Sequence, residues 1–304
     1  MNTKYRNMKW ISKILPLICL MFIFAATTLA SPGQPVSDQV WFAPNVGSVD
    51  MLDLFATPEL WNTARSRIDI FKLNAGNVAT GGWSCVELPH YNCGDNHREN
   101  LINVGAFQKL EEWGVGLALE SFFAGPVMSL DPLECSTPQF IRNLSLDGSV
   151  NIIQSVESAG GSVDYLAMDE PLRQWLPEYY YTYTGQTDPR PCLTDSLDVL
   201  ADYVADYILQ LKVWFPTVSI GQIDLYPEVG VDQIIEWILA LEARGVFLSF
   251  FHLDVHSIRI DSYLDFGLNL DVAADFRELK SFMENRGMAL GIIYTDVYWD
   301  SQYW

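Results

Sequence analysis

Basic side chains are scarce in this chain. Only 18 Lys and Arg stand against 38 Asp and Glu, for a formal net charge of −20. Such a surface repels phosphate backbones, which excludes nucleic acid as a partner class. The charge reads as a solubility device rather than as steering for a cationic ligand. Long apolar runs are also scarce: after Ile14–Ala26 no segment is long and apolar enough to cross a bilayer. Neither Gly-x-Ser-x-Gly nor His-Glu-x-x-His occurs, so the usual signatures of serine hydrolases and zinc peptidases are missing. Asn74-Ala75-Gly76-Asn77 is read as lacking the strand, glycine-rich loop and helix that a nucleotide cradle needs. No internal repeat or low-complexity tract stands out.

The one apolar run has a clear meaning. Lys4, Arg6, Lys9 and Lys13 precede it, and Thr28-Leu29-Ala30 follows with small residues where a signal peptidase reads. The run is too short for a spanning helix, so residues 1–30 are expected to be a secretory signal peptide cleaved near Ala30. Cys19 has no small residue before it and does not suggest a lipoprotein. The mature protein is then secreted or periplasmic and free of the membrane. Losing four basic residues and no acidic one takes its charge from −20 to −24.

Four of the five cysteines remain: Cys85, Cys93, Cys135 and Cys192. In an exported chain this predicts disulfides, with three pairings open. Cys85–Cys93 as a local clip and Cys135–Cys192 across two loops is the preferred set. The C-x7-C spacing does not suit zinc.

Beyond a linker over residues 31–38, the pattern alternates between short β-branched or aromatic runs and longer stretches of helical period. Strands are expected at Val40–Asn45, Asp69–Asn74, Gly116–Phe122, Val163–Asp169, Val218–Asp224, Val246–Asp254 and Met288–Asp296. Helices are expected at Ser48–Arg67, Arg98–Trp113, Ser149–Ala159, Thr194–Trp214, Val231–Arg244 and Val272–Arg286. Gly114, Gly245 and Gly287 each close a helix and lead straight into a strand. Short helix-to-strand turns and long strand-to-helix loops are the rhythm of a parallel βαβ array. Residues 39–304 are therefore expected to form a (β/α)8 TIM-type barrel, the catalytic domain. Seven strands are counted and the text stops at Trp304, so the expected chain ends before its last β/α unit.

In such a barrel chemistry sits at the C-terminal ends of the strands. Those ends carry Lys72 and Asn74, Glu120 and Ser121, Asp169 and Glu170, Gln222 and Asp224, His252, Asp254 and His256, and Asp296. Period-two alternation puts Lys72 with Asn74, Gln222 with Asp224, and His252 with Asp254 and His256. Charged groups on buried strands are costly unless partnered, so their recurrence on six strands points to a polar pocket. Trp175, Tyr298 and Trp299, with Trp83, Tyr179, Tyr180 and Tyr226, fall in loops of the same face. Flat aromatics there suit the apolar faces of sugar rings.

Tyr165-Leu166-Ala167-Met168-Asp169-Glu170-Pro171 resembles the Asn-Glu-Pro strand end of the clan A glycoside hydrolases. The resemblance implies a TIM-barrel enzyme that hydrolyses glycosidic bonds of oligo- or polysaccharides. It implies Glu170 as acid/base, with Asp169 where that clan has Asn. The seventh strand of the clan ends in a nucleophilic Glu; here it ends in Asp296, the expected second carboxylate, with Glu120 and Asp224 as alternatives. Lys72, Asn74, Asp224, His252, Asp254, His256, Trp175, Tyr298 and Trp299 are expected to bind substrate. No cofactor is expected, and the protein is expected to act as a monomer. Two other readings stay open. One is a metal-dependent barrel resembling xylose isomerases, built on His252, Asp254, His256, Glu170 and Asp224. The other is a carbohydrate-binding barrel without catalysis. His90 and His97 flank Cys93 without metal-like spacing, and the Asn143-Leu144-Ser145 sequon carries no inference.

Overall fold

Apolar strands that alternate with one-sided helices satisfy their backbone by pairing in parallel beneath a helical layer. A computed structural model realises this arrangement. It describes residues 39–44, 50–79, 97–122, 138–175, 196–255, 260 and 270–293, all within the unit Pro35–Trp304. The elements run β1 (Trp41–Phe42), α1 (Asp50–Ala56), a 3-10 turn (Pro58–Trp61), α2 (Asn62–Arg65), β2 (Ile70–Asn74), α3 (Ala75–Val78), α4 (His97–Asn103), α5 (Ala106–Glu112) and β3 (Gly116–Phe122). They continue through α6 (Pro138–Ser158), β4 (Tyr165–Asp169), α7 (Pro171–Trp175), α8 (Leu197–Trp214), β5 (Ser219–Tyr226), α9 (Val231–Glu242), β6 (Phe250–Val255), α10 (Val272–Glu284) and β7 (Ala289–Ile293).

All six strand pairings are parallel, and the sheet order equals the chain order, β1 to β7. A flat sheet would hold β1 and β6 about 24 Å apart, five spacings of about 4.8 Å. Instead the Trp41 ring of β1 lies 5.1 Å from Phe250 of β6 and 5.1 Å from Tyr165 of β4. The sheet is therefore curled into a barrel wall, with Trp41 plugging its inside. Ala167, Ile223 and Phe250 pack with Trp41, Tyr165, Ala289 and Ile293 as the inner core. The much larger outer core lies between strands and helices, where Phe55, Tyr207, Trp237 and Met283 are fully buried.

Local chemistry explains the boundaries. Asp69 and Asp164 anchor strand starts, their carboxylates accepting the backbone N–H of Val40 (2.8 Å) and Leu117 (2.9 Å). α5, α9 and α10 end in the same Schellman turn: Gly114, Gly245 and Gly287 sit at φ of 67°, 76° and 67°. Each donates back three residues, and Val115, Val246 and Met288 donate back five. Each glycine accepts a left-handed conformation that a side chain would resist.

Several expected boundaries are corrected. The Ser48–Arg67 helix is broken into α1, the 3-10 turn and α2, because Pro58 cannot continue the helix before it. The Arg98–Trp113 helix is two helices, α4 and α5, with Gly105 at φ 67° between them. α6 begins eleven residues before the expected Ser149, at Pro138, and contains the sequon. Strand six starts at Phe250 rather than Val246. Asn74 does lead from a strand into a helical turn, capping α3 by accepting from Gly76 N at 3.0 Å. That turn is only four residues long. Residues 1–38 and the four cysteines Cys85, Cys93, Cys135 and Cys192 lie outside the described residues. Among the described residues no helix is long and apolar enough to cross a membrane.

Candidate active site

Every second residue of a strand faces the barrel interior, and the register decides which residues meet there. Asn74 pairs with Glu120, Glu120 with Ala167, Asp169 with Ile223, Ile223 with His252, and His252 with Gly291. Of these, Glu120, Asp169, Ile223, His252 and Gly291 line a cavity of about 920 Å³ whose walls also include Trp41, Lys72 and Asp254. It extends past β7 to Phe276 and Lys280 of α10.

On the β2–β3 side, Glu120 is held by two donors. Lys72 Nζ forms a short ion pair with its Oε2, and Asn74 Nδ2 donates to Oε1 at 2.7 Å. Across the cavity His252 is only 8% exposed, edge-on to Trp41 at 4.6 Å between ring centroids and tilted on Phe250 at 4.8 Å. Burial, with a smaller push from the Lys72 charge, brings its imidazole down to about 3, so it stands neutral. Room for the ring comes from β7: a Cβ on Gly291 would collide with it.

The end of β4 is the most unusual feature. Glu170 is the one non-glycine described residue with positive φ, at 49°. Left-handed backbone is strained for a side chain of this size and marks a position held by its surroundings. Its N–H donates to Ile223 O at 2.9 Å, and Pro171 opens α7 directly behind it. Arg173, one turn on, forms a short ion pair with Glu170 Oε2, and its Nε lies 3.0 Å from Glu228 Oε2. Burial raises the Glu170 carboxyl, Arg173 opposes that rise, and Asp254 and Glu228 add to it. Asp169 is raised well above the usual range, first by burial and then by the charges of Glu120 and Glu170, with Lys72 opposing.

No family model matches the chain, and neither does any curated protein. Solved structures do. Xylanase 10B from Thermotoga maritima superposes with a TM-score of 0.50 at 14% identity, over 85% of this chain and 70% of that one. The chain has the TIM-barrel fold. Xylanase XynB from Paenibacillus barcinonensis follows at 0.48 and 11% identity, over 86% of this chain and 71% of that one. A GH1 beta-glucosidase from Exiguobacterium antarcticum scores 0.41 at 13% identity, over 67% and 54%.

Within this barrel the expected site residues divide into three groups. Lys72, Asn74, Glu120, Asp169, Glu170, His252 and Asp254 are gathered at the inner face and the rim of β2, β3, β4 and β6. Asp224 is not with them, which corrects the expectation that it binds substrate. It shares the outward face of β5 with Gln222 and is fully buried under α7. There it accepts the N–H groups of Leu172 (3.4 Å) and Arg173 (3.3 Å) and the Gln222 amide (2.5 Å), while Trp237 donates to Gln222 at 2.7 Å. Burial, then the Glu170 charge, pushes its carboxyl up to about 8, against the pull of those donors. Tyr226 is likewise no loop aromatic: it is buried, packs on Phe276 and donates to Asp275 at 2.6 Å. Asp296, His256, Tyr298 and Trp299 lie outside the described residues, as do Trp83, Tyr179 and Tyr180; Trp175 ends α7.

With Asp224 on the far side of the sheet, the metal reading loses one of its donors. Among the described residues no three His, Cys, Asp or Glu side chains gather to hold an ion. Sequence reasoning missed Trp41, Arg173, Glu228 and Gly291. Only Arg173 left a signal: after Glu-Pro a helix is expected, and its position three residues on faces Glu170.

Proposed function

We propose that this chain is an exported glycoside hydrolase that cleaves glycosidic bonds of an oligo- or polysaccharide, with Glu170 as general acid/base. The observation that carries the reading is Glu170 itself. It stands at the C-terminal end of a barrel strand in left-handed backbone, with its carboxyl raised by burial. A raised carboxyl is what proton donation to a leaving group near neutral pH requires. The resemblance of Asp169-Glu170-Pro171 to the clan A strand end supports this reading. So does the fold shared with a xylanase.

Asp296 is the proposed second carboxylate. The separation of the pair sets the stereochemical outcome, about 5 Å for retention and about 6.5–9.5 Å for inversion. Glu120, tied down by Lys72 and Asn74, is suited to accept hydrogen bonds from sugar hydroxyls, and Trp41 and neutral His252 add a largely apolar aromatic wall. Collected from the exported fraction, the protein should begin at Ser31 by mass spectrometry and release reducing ends from a panel of polysaccharides. Glu170→Gln should lose at least about 100-fold in kcat with unchanged circular dichroism. Undiminished turnover in that variant would end the assignment.

A further inference from the structure

Arg173 sits where three elements meet. α7 presents it one turn after Glu170, the segment following β5 brings Glu228, and β5 holds the start of α7 through Asp224. Its guanidinium therefore spans two carboxylates, Glu170 through Nη1 and Glu228 through Nε. All three side chains are largely shielded, with exposures of 22%, 13% and 8% for Arg173, Glu170 and Glu228. A guanidinium hydrogen-bonded to one shielded carboxylate and ion-paired to another has little freedom to turn. The backbone N–H of Arg173 is bound as well, by Asp224 at 3.3 Å, so the guanidinium is carried on an anchored turn.

We infer that Arg173, braced by Glu228, is a positioning residue that aims Glu170 and sets the proton affinity of its carboxyl. Its part in turnover rests on the acid/base reading of Glu170; the ion-pair triad does not. Among the described residues, the other charged groups whose fields couple to Glu170 are Asp169 from β4, Asp254 from β6 and, from the outward face of β5, Asp224, all acidic. The Lys72–Glu120 pair acts one step away, on Asp169. Arg173 is thus the cation that opposes burial and its acidic neighbours at Glu170. Glu228 acts oppositely, as a nearby anion and as a competitor for the guanidinium.

The two partners therefore have opposite signatures. Carbon-13 NMR of side-chain carboxyls, with the Glu170 signal identified by its loss in Glu170→Gln, reads the titration directly in the mature protein. Arg173→Met should move the Glu170 midpoint up by about one pH unit, the low end of what an adjacent opposite charge does, and Glu228→Gln should move it down. If the methionine variant does not fold, Arg173→Gln serves in its place with the same expected direction. An unmoved midpoint, or movement of both variants in one direction, overturns the inference. The alkaline limb of kcat/KM against pH should follow the NMR midpoint in each variant. A midpoint that moves while the activity limb stays still leaves the triad standing and removes Glu170 as the acid.

Discussion

His252 shows how one residue couples burial to chemistry. An imidazole enclosed by Trp41, Phe250 and the bare backbone of Gly291 has lost the water that would stabilise its charged form. Its folded value of about 3 lies below the ordinary value of 6.5, so between those two the unfolded chain binds the proton and the folded chain does not. Stability from this group is thus full above about 6.5 and drains as pH falls toward 3, at up to about 1.4 kcal/mol per pH unit. His252→Phe keeps a ring against Trp41 and removes the titration. Urea unfolding at a series of pH values should show the variant gaining on the natural protein as pH falls through that window. A constant difference would mean that His252 carries its proton in the folded state. Histidine on an alternating strand is readable as inward-facing, but the glycine opposite is not, since it lies 39 residues away and only the register pairs them.

Elements show the same division between pattern and partner. Seven strands appear in the expected order, because period-two runs and glycine stops are local signals. Local signals also account for the misses. Pro58 and Gly105 break helices whose apolar period continues past them. Strand pairing, in contrast, sets how large a side chain each position tolerates. Gly221 opposes Phe250 so closely that an added Cβ would meet the ring and the Phe250 carbonyl at 2.5 Å. Gly291 opposes His252 in the same way. Gly291→Ala is expected to cost about 1–3 kcal/mol by overpacking and to turn the His252 ring away from Trp41. Thermal unfolding measures the cost, and the part of the tryptophan emission that Trp41→Phe removes reports the ring; an unshifted midpoint would show that β6 and β7 are less closely coupled than their register implies.

At the scale of the whole molecule, charge is the dominant feature. A net charge of −20 on 304 residues makes the folded chain repel itself, and the two flanks of the Glu170 rim are acidic as well. Raising salt from about 0.1 M to about 1 M shortens the screening length from about 10 Å to about 3 Å. The midpoint of thermal unfolding should therefore rise by a few degrees over that range. A fall would mean that surface ion pairs such as Arg244 with Asp198 and Asp202 outweigh the general repulsion.

Composition, period and glycine placement were enough to reveal an acidic chain of parallel strands and helices, and to mark the Asp169-Glu170-Pro171 strand end, because each of these is written within a few neighbouring residues. Curling of the sheet was decided in three dimensions, where Trp41 reaches Tyr165 and Phe250 across the interior. So was the side of the sheet on which a given acid ends. Asp224 and Asp254 look alike along the chain, yet one lies beneath α7 and the other lines the cavity, because alternation states only that neighbours differ and long-range pairing assigns the faces.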